Sequence, residues 1–199
     1  MRVSRQQAAA NRERVLDVAA ALFRVHGFNG VSIADVMRTS GLTHGGFYGQ
    51  FDSKEALIEE CCSRGVQDSV AEVRRERTSP IGPAAPGVLG EVLDDYVSAS
   101  HRDNPQSRCT VAALANDAGR APTELQSVFA SGVTGMAQAL GASSSRASSQ
   151  DDHPTPDYFL LAGMVGAIVL SRAVRDADPA LSDRILKDTR DGLVAADSR

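Results

Sequence analysis

Hydrophobic positions along this chain recur at helical spacing, and no long window alternates as a strand would. The pattern predicts an all-α protein. Residues 1–7 read as an arm, followed by a first helix over about 8–26 with Val15, Ala19, Leu22, Phe23 and His26 on one stripe. Gly27 supplies a left-handed stop, with Phe28 folding back as its hydrophobic contact. Ser32 followed by Asp35 reads as a capping box opening a second helix, whose Ile33, Val36 and Met37 face inward. Gly41 ends that helix, and Leu42 packs under the turn. Thr43 stands at the cap of a third helix, in which Phe47 and Phe51 share one face. Asp52 with Glu55 predicts the cap of a long fourth helix towards Arg77. One segment resists its assignment. "THGGFYGQF" places three glycines in the third helix, where each costs roughly 1 kcal/mol relative to alanine.

Beyond the breaker "SPIGPAAPG" at 79–87, the spacing predicts helices over about 88–101, 107–118, 122–141, 156–176 and 179–196. Asn104-Pro105 separates the first two. The polar stretch 141–156 reads as a mobile loop. Pro156 and Pro179 suit first helical turns, capped by Thr155 and Asp178. A helix-turn-helix head over 1–54 and a larger helical body over 55–199 follow from this layout.

Charge sharpens that division. The chain carries a formal net charge of −4, yet residues 1–54 hold seven Lys/Arg against four Asp/Glu. A basic head on an acidic protein suits a polyanionic partner. Cys61, Cys62 and Cys109 show no metal-ligand spacing, so neither a metal nor a cofactor is expected. Free thiols and the lack of an apolar leader-like run fit the cytoplasm. The run 158–174 is too short and too interrupted for a membrane span. No GxSxG, HExxH, P-loop or dinucleotide fingerprint is present, and the four histidines lie apart from any nucleophile or carboxylate pair. An enzyme is therefore not expected.

The order of features from Val15 to Leu57 carries a resemblance. Phe-x-x-x-Gly-Phe is followed by a Ser-capped short helix, then Gly-Leu-Thr, Gly-x-Phe-Tyr and Phe-x-Ser-Lys-Glu-Ala-Leu. This head resembles the DNA-binding domain of the bacterial TetR family of transcriptional regulators. Cys109–Arg120, "CTVAALANDAGR", is similar to a segment in one branch of that family. A helix-turn-helix presents the N-terminal end of its second helix to the major groove. Here Thr43, His44, Gly45 and Gly46 hold that end. The hydroxyl and imidazole can read bases or phosphates, and the glycines leave the backbone amides open to phosphate. By motif matching, the resemblance places phosphate contacts on Ser32, Tyr48, Gln50 and Lys54. Ser32 can cap its helix as well.

The resemblance also implies a homodimer whose last two helices form a four-helix interface. Phe159, Ala162, Gly163, Gly166, Ala167 and Leu170 are its expected contributors, the small ones permitting close helix approach. It further implies a small-molecule pocket among the middle helices. Phe129, Met136 and Cys109 are the candidate lining residues, with Arg102, Asn116 and Asp117 as possible polar contacts. Leu125, Val128 and Leu140 belong to the same stripe, which also suits a plain core. The functional expectation is a ligand-responsive repressor, released from a double-stranded DNA operator by an unidentified inducer. Thiol-based sensing by Cys109 is an alternative switch. An adaptor with a degenerate head is the rival class.

Overall fold

The computed structural model describes residues 4–76, 88–107, 109–142 and 155–197. Among the described residues the regular structure is helical. The order is α1 (Arg5–His26), α2 (Ile33–Thr39), a 3-10 turn (His44–Gly46), α3 (Lys54–Glu76), α4 (Val88–Tyr96) and α5 (Ala99–Asp103). A second 3-10 turn (Pro105–Ser107) leads to α6 (Thr110–Ala118), α7 (Thr123–Gly141), α8 (Tyr158–Val174) and α9 (Pro179–Asp197). The breaker at 79–87 and most of the polar loop expected at 141–156 lie outside the described residues.

Several boundaries move, each for a local reason. The expected arm is partly helix, because the Ser4 hydroxyl accepts from the Gln7 amide and starts α1 early. The helix expected over 88–101 is broken at Ser98, whose hydroxyl caps a new one by accepting from His101 N at 3.1 Å. The cap of α3 is Ser53 rather than Asp52, since Ser53 Oγ accepts from Ala56 N at 3.0 Å. Likewise α8 is capped by Asp157, two residues after Thr155, through Leu160 N at 2.9 Å. Asp178 caps α9 as expected, accepting from Leu181 N.

Two apolar cores share α3. The first holds Leu16, Phe23, Phe47, Leu57 and Cys62 from the head, and takes in Leu114, Leu125 and Phe129 from α6 and α7. The core of the head thus runs past residue 54 and reaches into the body. The second core gathers Val66, Leu93, Met136, Leu160, Met164 and Leu193. At the crossing of α3 and α7 the Val66 side chain fills the space over Gly132, where a Cβ would overlap it. A buried polar knot ties the second core to α5. Arg172 donates to the Arg102 and His101 carbonyls at 2.9 and 2.8 Å, and Arg102 donates to Ser182 Oγ and Asp183.

Candidate nucleic-acid interface

The second helix of the helix-turn-helix is not a regular α-helix here. His44–Gly46 form a 3-10 turn, and residues 48–50 continue as turns. Three glycines supply too little helix propensity to hold the longer form. What fixes the segment is Phe47, fully buried, with its ring stacked on Phe51 at 5.5 Å. Thr43 occupies the cap position without a side-chain capping bond.

Thr43, His44, Gly45 and Tyr48 stand together in solvent, with Gly46 half-buried beside them. Tyr48 is 63% exposed and leans edge-on towards His44, ring centres 6.4 Å apart. A Cβ at Gly45 would meet no atom within 4 Å. Packing within the protein therefore does not require that glycine.

Three other expected contacts face the protein itself, wholly or in part. The Ser32 hydroxyl completes the capping box, accepting from Asp35 N at 3.1 Å and donating to Asp35 Oδ2 at 2.6 Å. That bond, followed by Arg38, holds the Asp35 carboxyl down to about 2. Gln50 turns inward and donates to the Gly46 carbonyl at 3.1 Å. Lys54 Nζ donates to the Phe28 carbonyl at 2.6 Å. Among the other basic groups of the head, Arg12 forms a forked pair with Glu60, and Arg24 donates to the Gln106 carbonyl. The positive balance of the head is thus largely engaged in holding it together.

The joint between head and body centres on the Phe28 peptide. Lys54 binds its carbonyl, while its amide donates to Asp117 Oδ1 at 3.3 Å. Gly27 precedes it with φ at +71°, and a Cβ there would stand 2.9 Å from the same carboxylate. The left-handed stop read from sequence is present, and the joint explains its second constraint. Asp117 was legible only as a polar residue on α6.

On α8 the outward positions are Phe159, Ala162 and Leu170, with half-buried Gly166 between them. Phe159 and Leu170 are 64% and 58% exposed. Two expected interface residues point elsewhere. Ala167 is buried in the core, and Gly163 faces Leu193 of α9, where a Cβ would sit 2.8 Å from its Cδ2.

Of the expected ligand contacts, Phe129 and Met136 are packed into the first and second cores respectively. Cys109 alone lines a small cleft, with Ser69, Tyr96 and His101. Sequence reasoning missed those three, because they approach one another only across α3, α4 and α5. Asn116 is exposed on α6, and Arg102 belongs to the knot with α9.

Residues 15–61 match the model of the bacterial regulatory proteins of the tetR family. The head therefore carries the DNA-binding domain of that family. It is 34% identical over 68 residues to the HTH-type transcriptional repressor KstR2 of Rhodococcus jostii (strain RHA1), covering 34% of this chain and 33% of that protein. It is 28% identical over 92 residues to the HTH-type transcriptional regulator AcrR of Shigella flexneri, covering 46% and 42%. Those alignments span less than half of each curated relative. A TetR transcriptional regulator from Chloroflexus aurantiacus J-10-FL superposes with a TM-score of 0.69 over 98% of this chain and 97% of its own, at 23% identity. The fold is therefore that of TetR-family regulators, with a helix-turn-helix head and a larger helical body. No helix of the described residues is long and apolar enough to cross a membrane.

Proposed function

We propose that the protein is a homodimeric transcriptional repressor, working in the cytoplasm, whose two heads bind a DNA operator and let go when a small molecule acts on the body. The carrying observation is the Thr43–Tyr48 turn, which exposes a hydroxyl, an imidazole, a phenol and bare backbone on a rigid aromatic base. Thr43 and His44 read the operator, and the Gly45–Gly46 backbone approaches the phosphates with Tyr48. Ser32 and Lys54 stand at the edges of that footprint. Gln50 supports the turn from behind. The outward stripe Phe159, Ala162, Gly166 and Leu170 on α8 supplies the contact between protomers.

A duplex selected from a random-sequence library provides the test. About three phosphate contacts per protomer predict that affinity falls by roughly 10³ between about 50 and 200 mM salt. The selected sequence should be a near-palindrome, with half-sites spaced by about one helical turn or a multiple of it. Binding indifferent to salt, or selection that returns no sequence, would overturn the reading.

A further inference from the structure

The body holds the end of α1 at two points, one on each side of α6. Before α6, the Gln106 carbonyl accepts from Arg24 Nε at 2.8 Å. In the last turn of α6, Asp117 accepts from the Phe28 amide at 3.3 Å. Among the described residues, Arg24 and Phe28 supply the hydrogen bonds that join residues 4–53 to the elements after α3. Arg24 lies in the last turn of α1, and Phe28 two residues past its end.

The start of α6 is fixed as well. Thr110, its first residue, donates from its amide to Ser69 Oγ at 3.3 Å. The same residue lies against Gly65 of α3, where a Cβ would overlap its hydroxyl. Ser69 in turn donates to the Gly65 carbonyl at 2.8 Å. Nine residues of helix, roughly 13 Å along the axis, therefore form a strut from the middle of α3 to the end of α1.

The far end of the strut is closed from both sides. Lys54 Nζ, at the start of α3, donates to the Phe28 carbonyl at 2.6 Å. The Phe28 ring is buried, edge-on to Phe23. Gly27 stands at φ +71°, and a Cβ there would lie 2.9 Å from Asp117 Oδ1. The carboxylate occupies room that only glycine leaves.

The chain crosses from head to body at Ser53 and Lys54, a single connection about which the head could pivot. Leu114 and Ala118 of α6 pack into the head-side core, but apolar contact has no preferred direction. A hydrogen bond does have one. The bonds at Arg24 and Phe28 select one angle from those that apolar packing alone would accept.

We propose that Asp117 is a positioning residue for DNA recognition, fixing the angle between head and body and thereby the half-site separation that the dimer accepts. This inference rests on the repressor reading above. A dimeric helix-turn-helix protein reads two half-sites at once, so its spacing preference is set by where its heads are held. Freed at Phe28, each head keeps its Thr43–Tyr48 turn and reads one half-site as before. What it loses is the fixed distance to the head of the other protomer.

The experiment uses the full chain and the selected duplex in three forms: the native spacing, spacings altered by one and two base pairs, and a single half-site. For the wild-type protein, altered spacing should cost roughly 100-fold in affinity. In Asp117→Ala that ratio should shrink to about tenfold or less, because a freer head follows the displaced half-site, while affinity at the native spacing falls. Both proteins should bind the single half-site alike. Asp117→Asn keeps an acceptor for the Phe28 amide and should keep the wild-type profile. Gly27→Ala crowds the carboxylate and should reproduce the Asp117→Ala profile, with no further change when the two are combined. An unchanged profile in Asp117→Ala, equal weakening on the single half-site, or additive effects of the two substitutions would each overturn the positioning role. Loss of the profile in Asp117→Asn would overturn the hydrogen bond as its cause.

Hydrogen exchange at the Phe28 amide keeps the joint and the repressor reading apart. Exchange there should quicken by roughly tenfold or more in Asp117→Ala, while the amides of Val15 and Leu16 in the head core stay protected. An unchanged Phe28 rate would overturn the joint, whatever the protein does with DNA. A chain that selects no duplex but shows the quickened exchange would sink the repressor reading and leave the joint standing.

Discussion

Tyr48 in the head and Phe159 on α8 are almost equally exposed, 63% and 64%, yet their surroundings ask for different partners. Tyr48 stands among a hydroxyl, an imidazole and glycines, on a turn with its apolar side already buried by Phe47. Phe159 begins a stripe that continues through Ala162, Gly166 and Leu170 without a polar residue. Exposure alone does not distinguish the two. The neighbours do: one surface offers donors to a polyanion, and the other offers area to an apolar face like itself.

The comparison is broken most decisively at the stripe. Replacing Phe159 and Leu170 together by Asp puts charge where two protomers are proposed to meet, at positions the fold leaves in solvent. The double variant should sediment as a folded monomer and bind the operator at least about 100-fold more weakly, because a single head reads only half a site. A variant that remains dimeric would show that α8 presents some other face to its partner.

At Tyr48 the expected effect is smaller and lies on DNA alone. Tyr48→Phe removes one exposed hydroxyl with no hydrogen bond to lose among the described residues, so stability should change by less than about 0.5 kcal/mol. Operator affinity should fall by roughly tenfold, the value of one hydrogen bond to a charged acceptor. Denaturant melts beside a titration of the selected duplex separate the two quantities. Equal affinity for both proteins would remove Tyr48 from the footprint.

Ser32 tests where the two roles overlap. Ser32→Ala should lower stability by about 1 kcal/mol through loss of the cap, whatever it does to DNA binding. Asp35 adds a pH signature. Its folded value of about 2 lies below the unfolded value near 3.9. Its contribution is therefore complete above that range and is lost as pH falls towards 2. The Ser32→Ala protein should show a shallower loss of stability over that interval. Parallel acid limbs in the two proteins would mean that the capping box does not hold the carboxyl.

What the sequence disclosed and what it hid divide along physical lines. Local chemistry was legible. The Ser32–Asp35 box, the Gly27 stop with Phe28 behind it, and the Phe47–Phe51 pair all depend on residues within a few positions of one another. Tertiary competition was not. Lys54 bonds the Phe28 carbonyl across 26 positions, and Asp117 meets the Phe28 amide across 89. Neither spacing leaves a periodic trace. Small residues on α8 were ambiguous for a similar reason: Gly163 and Ala167 serve close packing within the protomer, and Ala162 and Gly166 are left outward. The break at Ser98 had a signal, a hydroxyl three residues before His101, but an unbroken apolar pattern outweighed it.

Gly45 gives the smallest and most selective perturbation. Its φ is not in the left-handed region, and a Cβ there would meet nothing within 4 Å. In the free protein Gly45→Ala should therefore be harmless, and reduced freedom of the unfolded chain should raise stability by about 0.4–1 kcal/mol. On the operator the same methyl group stands between the backbone and whatever the turn approaches. A few-fold loss of affinity, alongside unchanged or increased stability, would assign the glycine to the DNA complex and not to the fold. Were affinity to hold while stability rose, close backbone approach would be excluded at this position, and recognition would pass to the side chains of Thr43, His44 and Tyr48.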